Sequence, residues 1–492
     1  MIPVRSWLAV ALIGAGAFTG APAAAGPVEA APVETVALEA APLDLAASRR
    51  IDAAVRSLLR RYRTPGAAIA VIQDGRLRYL KAYGLRDRAR RLPVRTDTPF
   101  EIGSITKQFT AAAIVQLQER GKLGLDRPLA DYLPDAPHAR EVTLRQLLGH
   151  SSGLVDYFQG EEAEVDRLAA QPIAADRLLA RVAGQPLRFE PGSRFAYSNT
   201  GYALLGQVIE KVSGERYRDY LQRHLWAPAG MRETFTTADE ARLANVAAGY
   251  RKRDGRVEPA PRLHPDWSGA AGFMVSTLAD LARWDAALSG GRIVSPAGYA
   301  AMTTAQRAPD SSELGYGLGL FVDSAYGQPR IGHTGGTQGS ATADEYFPAQ
   351  RTRLIAFTNS GDKQPEAGEA LTNAVFAELY PQLAAAALQP APGEDTRARA
   401  IIRAAFAELQ AGHGYAHFSA KLQGKLAGEP GRKLHADLAG YGPPTAAVYR
   451  GSRAQADRSR WHDYRLAFGP GVLFELSMLI DADGAVTALK LG

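Results

Sequence analysis

In this 492-residue chain, strand-like runs sit at the two ends of one long stretch and helical patterns fill its middle. That separation restricts the folds open to it more than any other feature. Ala67–Gln73 and Arg76–Tyr83 are apolar-rich runs joined by Asp74-Gly75. The dipeptide signals a type I′ hairpin, whose two central residues both need positive φ. The next such runs, Gly317–Val322, Ala341–Phe347 and Arg353–Thr358, come much later, with Pro348 in the turn between the last two. Between them the apolar spacing is helical. Ser104–Arg120 stops at Gly121 and is apolar all round at Ala111–Val115, which implies burial. Gly201–Val212, Tyr217–Leu225 and Thr277–Leu288 follow, and a helix at Pro365–Leu379 closes the stretch. A lone hairpin is only marginally stable. The early pair is therefore expected to join the late strands in one mostly antiparallel sheet flanked by helices, an α+β fold with a central helical region.

The two ends of the chain read differently. Arg5, the uncharged apolar run Trp7–Phe18 and the small residues Ala23-Ala24-Ala25 have the form of an export signal cleaved after Ala25. The run is shorter than the ~20 residues a helix needs to cross a bilayer. No transmembrane span is expected after its removal, and the expected location is periplasmic or secreted. Residues 26–48, rich in Ala, Pro and Glu, are expected to be a flexible leader. The main domain is expected over 49–383, opening with Ile51, Val55, Leu58 and Leu59 at helical spacing. Residues 384–393, with Gln389-Pro390-Ala391-Pro392-Gly393, read as a linker. Residues 394–492 read as a separate α+β domain of unknown role. Ile401, Ile402, Ala405, Phe406 and Leu409 mark its helix, and short strands are expected near Ala446–Arg450, Tyr464–Phe468, Val472–Ile480 and Ala485–Leu491.

Composition removes several chemistries. The chain has no cysteine, which excludes disulfides, thiolate metal sites, iron–sulfur clusters and cysteine nucleophiles. Its net charge of +6 is spread without a concentrated basic stretch, so no nucleic-acid partner is expected.

A serine nucleophile needs a nearby group to take its proton and donors to hold the oxyanion. In Ser104-Ile105-Thr106-Lys107, a helix beginning at Ser104 would put Lys107 one turn later on the same face. Burial would lower the pKa of that lysine, as a base requires. The same spacing recurs at Ser360-Gly361-Asp362-Lys363, in a turn with no helix to align the pair. Tyr197-Ser198-Asn199 precedes the Gly201–Val212 helix. Its tyrosine could shuttle a proton if a neighbouring cation lowers its pKa, and Asn199 could orient a substrate amide. His333-Thr334-Gly335-Gly336 offers a glycine-bearing strand edge, where a substrate backbone can approach main-chain N–H groups. Gly149-His150-Ser151-Ser152-Gly153 has the form of a nucleophile elbow. An elbow follows a strand, however, whereas Thr143–Leu148 is helical in pattern, so Ser151 is not expected to be the nucleophile. His413 and His417 are expected to be a surface pair and not a metal site, given Gly414 between them and no evident carboxylate partner.

Taken in order, these motifs resemble the serine β-lactamase and penicillin-binding superfamily. Within it they resemble the group of class C β-lactamases, D-alanyl-D-alanine carboxypeptidases, D-amino-acid peptidases and related esterases. The resemblance runs from about Ile51 to Leu379. It takes in Pro65-Gly66, Phe100-Glu101-Ile102-Gly103, Leu147-Leu148-Gly149-His150-Ser151-Ser152-Gly153-Leu154 and Phe357-Thr358-Asn359. It implies that Ser104 is the acylated nucleophile and that Lys107 and Tyr197 form its proton-transfer pair, with the acylation base undecided between them. It further implies that Asn199 contacts the substrate amide, that the backbone N–H groups of Ser104 and Gly336 form the oxyanion hole, and that His333, Thr334 and Gly335 line the site.

The function so implied is that of an exported serine hydrolase working through an acyl-serine without metal or organic cofactor. Its substrate would be an ester, an amide or a D-amino-acid-containing peptide, small or cell-wall derived. The alternative within the group is a penicillin- or muropeptide-binding protein that acylates and turns over poorly. Class C β-lactamases carry lysine where this chain has His333. An imidazole is mostly neutral at pH 7, which argues against an efficient β-lactamase. The oligomeric state is not legible in the sequence.

Overall fold

The computed structural model describes residues 42–492, apart from 159–161, 254, 362–366, 470 and 492. The expected export signal and most of the expected leader lie outside the described residues. The last leader residues are not irregular: α1 spans Leu45–Arg61, capped by Asp44, whose carboxylate accepts from the Ala47 N–H at 2.7 Å. Its buried residues Ala47, Ile51, Val55 and Leu58 recur at helical spacing, so one face packs and the other stays wet.

The main sheet has seven strands: β1 (Gly66–Gln73), β2 (Arg76–Asp87), β3 (Leu92–Pro93), β4 (Phe321–Ala325), β5 (Gln328–Gly336), β6 (Ala341–Phe347) and β7 (Thr352–Thr358). Their order is β3-β2-β1-β7-β6-β5-β4, with every neighbouring pair antiparallel. Asp74 and Gly75 have φ of 52° and 72°, as the I′ hairpin requires. The early hairpin does close on the late strands, with Ala67 opposite Thr358 and Gln73 opposite Thr352.

Two strands depart from expectation. Of Gly317–Val322, only Phe321 and Val322 enter β4; Gly319 has φ of 78° and belongs to the turn before it. The histidine motif, expected at a strand edge, is the end of a longer strand, β5, whose Gln-Pro-Arg-Ile-Gly start the sequence does not announce, because proline and glycine are poor strand formers. Pairing on both sides overrides that preference: β5 joins β6 through Ile331–Gly336, and β4 only as far as Gly332. From His333 onward, its β4-side edge has no strand partner.

Helices cover the sheet. A single 3₁₀ turn, Gly103–Ile105, leads into α2 (Thr106–Glu119), buried along almost its whole length as its apolar centre implies. Phe109 of α2 stacks on Trp284 with ring centroids 3.9 Å apart, and the surrounding core extends to Ile355 and Phe357 of β7. The site also uses α3 (Leu144–Leu148), α4 (Asn199–Ser213) and α5 (Pro265–Gly272), the last kinked at Gly269.

The chain forms two compact units that divide between Thr372 and Asn373. The division falls inside α6 (Ala367–Leu379) and not at the expected linker 384–393. Ala384–Ala387 are helical, because Pro381 occupies a first-turn position that proline tolerates and the alanines propagate the helix. In the C-terminal unit, α7 (Thr396–Ala411) buries Ala398, Ile402, Ala405, Phe406 and Leu409. Four antiparallel strands follow in sequence order: β8 (Ala446–Ala454), β9 (Arg460–Ala467), β10 (Leu473–Ile480) and β11 (Val486–Leu491). The Phe406 ring of α7 meets Phe468, just past β9, at 6.1 Å.

Candidate active site

Ser104 sits in the 3₁₀ turn ahead of α2, 5% exposed, and Lys107 lies one turn on, fully buried. Burying an ammonium is costly unless it is hydrogen-bonded. Here Nζ lies 3.0 Å from Ser104 Oγ, 2.9 Å from Asn199 Oδ1 and 2.7 Å from the Ala271 carbonyl. The last two partners can only accept. When Lys107 is a neutral amine, its two N–H groups fill them and its lone pair is left facing the Ser104 hydroxyl. Desolvation favours that state, pushing the Lys107 pKa well below the ordinary 10.5, while the Asp156 carboxylate draws it part-way back. Thr106 and Thr110 fasten the same helix: Thr106 Oγ1 accepts from the Met274 N–H at 3.2 Å, and Thr110 Oγ1 donates to the Ala270 carbonyl at 2.7 Å.

Tyr197 does not meet the condition set for it. Its ring faces Lys107, with Nζ 4.7 Å from the centroid, but burial pushes its hydroxyl well above the ordinary phenol pKa, only partly offset by Ser104. The buried hydroxyl makes no hydrogen bond of good geometry. Asn199, the first residue of α4, carries the amide that receives Lys107 and is fixed in turn by Asp156.

Two glycines bring the far strand to the serine. A Cβ on Gly335 would lie 1.9 Å from the Ile102 carbonyl oxygen, and one on Gly103, at φ of 50°, would lie 2.7 Å from the Gly336 nitrogen. Only bare backbone fits there, so the Gly336 amide is held against the turn that carries Ser104.

β5 does not present its whole motif to the cleft. His333, Thr334 and Gly335 are buried, and exposure begins at Gly336 and Thr337. His333 Nδ1 faces the Thr334 carbonyl at 2.5 Å and Nε2 the Tyr316 hydroxyl at 2.9 Å, so both ring nitrogens are occupied within the fold. Thr334 Oγ1 is buried without a partner. An open cleft lies over Ser104. Phe158, Leu263, Ala271 and Gly272 give it apolar wall, and Asn199, Thr237, Ser268 and Thr337 give it neutral polar wall. Among its described lining residues the one charged side chain is Glu101, whose carboxylate accepts from Arg262 Nε at 2.7 Å.

The beta-lactamase family profile matches residues 51–379. The chain belongs to the beta-lactamase family. It is a serine hydrolase of that family, as its relatives are. It is 29% identical to penicillin-binding protein 4* of Bacillus subtilis strain 168, over 68% of this chain and 76% of that protein. It is 31% identical to the D-aminopeptidase of Brucella anthropi, over 63% of this chain and 59% of that protein. Among solved structures it resembles the D-amino acid amidase of Ochrobactrum anthropi SV3 complexed with L-phenylalanine amide. That likeness has a TM-score of 0.60 at 26% identity and covers 68% of this chain and 99% of the amidase.

The other sequence candidates fall away. Ser151 follows α3, a helix, and not the strand an elbow needs. Ser360 is buried, and Lys363 lies outside the described residues. His417 does have a carboxylate partner, Glu408 at 2.7 Å, a contact that sequence spacing did not show. Among the described residues no cluster of three metal-ligating side chains occurs, and no helix is long and apolar enough to cross a membrane. Sequence reasoning missed Asp156, Tyr316, Glu101 and the Ala271 carbonyl. A carbonyl has no sequence signature, and the three side chains stand in turns or strand ends where such residues are ordinary.

Proposed function

We propose that this protein is an exported serine hydrolase that acylates Ser104 with a small amide or ester, D-aminoacyl compounds foremost, and releases the acyl group to water. The observation that carries the reading is the Lys107 amine, held 3.0 Å from Ser104 Oγ with both of its other partners acceptors. Lys107 takes the Ser104 proton as Oγ attacks the carbonyl carbon. The backbone N–H groups of Ser104 and Gly336 receive the oxyanion, and the proton taken up by Lys107 is relayed through the Tyr197 hydroxyl to the leaving group, which leaves both side chains neutral again. A positioned base contributes roughly 10²–10⁴ in rate and one oxyanion donor roughly 10²–10³.

The walls of the cleft support the choice of acyl donor. No lysine or arginine is among its described lining residues, and His333 is turned inward, so no described side chain there supplies a cation for a substrate carboxylate. That favours amides and esters over peptides ending in a free carboxylate. It agrees with similarity to a D-amino acid amidase and a D-aminopeptidase.

The test is intact mass and turnover with a fluorophosphonate, a penicillin, a p-nitrophenyl ester and the D- and L-phenylalanine amides. Ser104→Ala and Ser360→Ala run alongside. A mass gain lost only in Ser104→Ala, with D-amide turnover, is expected. A penicillin adduct that persists would move the protein to the binding-protein branch, and labelling of Ser104→Ala would sink the mechanism. Export is tested by sequencing the N-terminus of the secreted protein, where a start at Gly26 is expected.

A further inference from the structure

The Asn199 amide has one end that donates and one that accepts, and its orientation decides whether Lys107 finds an acceptor. Asp156 Oδ2 accepts from the Asn199 backbone N–H at 2.8 Å and from Nδ2 of its side chain at 2.9 Å. Oδ1 accepts from the Phe158 N–H at 2.9 Å. With Nδ2 held on a carboxylate, Asn199 Oδ1 is left to receive Lys107. A flipped amide would aim Nδ2–H at Lys107, opposing an ammonium or occupying the lone pair of a neutral amine, and would set acceptor against acceptor at Asp156. The same loop grips the next residue of α4: Thr200 Oγ1 donates to the Val155 carbonyl at 2.8 Å and accepts from the Tyr157 N–H at 3.1 Å.

We propose that Asp156 is a positioning residue, which fixes the Asn199 amide and through it the Lys107 amine beside Ser104 without itself touching substrate. The inference rests on the roles proposed above for Ser104 and Lys107.

Its charge supplies a signature that a merely structural residue would lack. Lys107 is faced by Ser104 of the 3₁₀ turn, Asn199 and the Tyr202 ring of α4, the Tyr197 ring, and the Ala271 carbonyl of α5. His150 also stands close enough for the lysine charge to depress its own pKa. Asp156 is the anion acting on Lys107, and it raises the lysine pKa against desolvation. Removing that charge makes Lys107 harder to protonate, so the acid limb of acylation moves to lower pH.

The experiment follows single-turnover p-nitrophenol release from p-nitrophenyl acetate across pH, in the full chain. It uses wild type, Asp156→Asn, Asp156→Glu and Ser104→Ala, with intact mass reporting the acyl group and thermal midpoints reporting folding. Asp156→Asn is expected to acylate about 10²-fold more slowly on the plateau, the scale of a small misplacement at the reacting atoms, with its acid limb displaced to lower pH. Asp156→Glu keeps the charge but moves it, and is expected to be slower with the limb in place. Where Asp156→Asn is too unstable to purify, Asp156→Glu alone decides, and wild-type kinetics in it overturn the proposal. Wild-type rate and limb in a folded Asp156→Asn also overturn it. So does a slower Asp156→Asn whose limb has not moved, because the loop is then scaffold only. If Ser104→Ala acylates like wild type, it is the reading of the site that fails, independently of Asp156.

Discussion

Lys107 and His333 are both buried basic side chains near the Tyr197 ring, and their surroundings give them opposite characters. Lys107 has three partners, two of which can only accept, so its lone pair is aimed at the third. Each ring nitrogen of His333 faces a partner that belongs to the fold. One side chain is buried with its reactive atom pointed at a substrate-facing group, and the other is buried with nothing left over. Burial alone therefore does not distinguish a base from a brace. What distinguishes them is whether the last hydrogen-bonding position is filled by something that can leave.

The contrast is strongest at Lys107. Replacing it by alanine should slow single-turnover acylation by roughly 10²–10⁴. In the wild type, acylation should rise with pH through one limb lying below 10.5, because the proton must leave a lysine whose pKa is depressed. The unfolded chain binds that proton more tightly, so stability should also rise with pH between the folded pKa and 10.5. Denaturant midpoints measured across pH, with Lys107→Ala as control, check the sign.

Gly335→Ala probes the strand that carries His333 without changing any side-chain chemistry. Its Cβ would meet the Ile102 carbonyl at 1.9 Å. The strand must retreat, taking the Gly336 amide with it, and roughly 10²–10³ in acylation should be lost. Overpacking should also cost about 1–3 kcal/mol of stability in a denaturant titration.

The smallest effects belong to the brace. Tyr316→Phe removes the hydroxyl at His333 Nε2 and should cost about 1 kcal/mol of stability, read from the same titration. Neither it nor His333→Gln should move the acid limb of acylation. A limb that shifts in His333→Gln would erase the distinction between the two residues.

How far this was legible depends on how local each feature is. Ser104 and Lys107 are three residues apart, and one turn of helix fixes their relation, so sequence sufficed. The hairpin was legible because Asp74-Gly75 has few other uses, and its pairing with β7 followed from where strands were scarce. β5 was legible only as a strand edge at His333–Gly336, since Pro329, Gly332, Gly335 and Gly336 speak against a full strand and pairing across the sheet makes it. Nor was the direction of His333, which one residue of register would reverse. The raised pKa of Tyr197 was hidden for a similar reason: a nearby cation shows in the pattern of motifs, whereas desolvation does not. Asp156 reads as an ordinary loop aspartate until α4 is laid beside it.

The pairing of β1 with β7 has a consequence for how the activity comes into being. A hairpin made early must wait for a strand made near the end of the same unit, and contacts so distant along the chain are slow to form. A nascent chain ending before Thr352 would already contain Ser104, Lys107, Tyr197 and Asn199, yet the strand that joins β6 and β5 to β1 would be missing. Reactivity toward a fluorophosphonate should therefore appear abruptly and late, when the last strand enters the sheet. In this protein the labelling of one serine is a clock for the completion of folding.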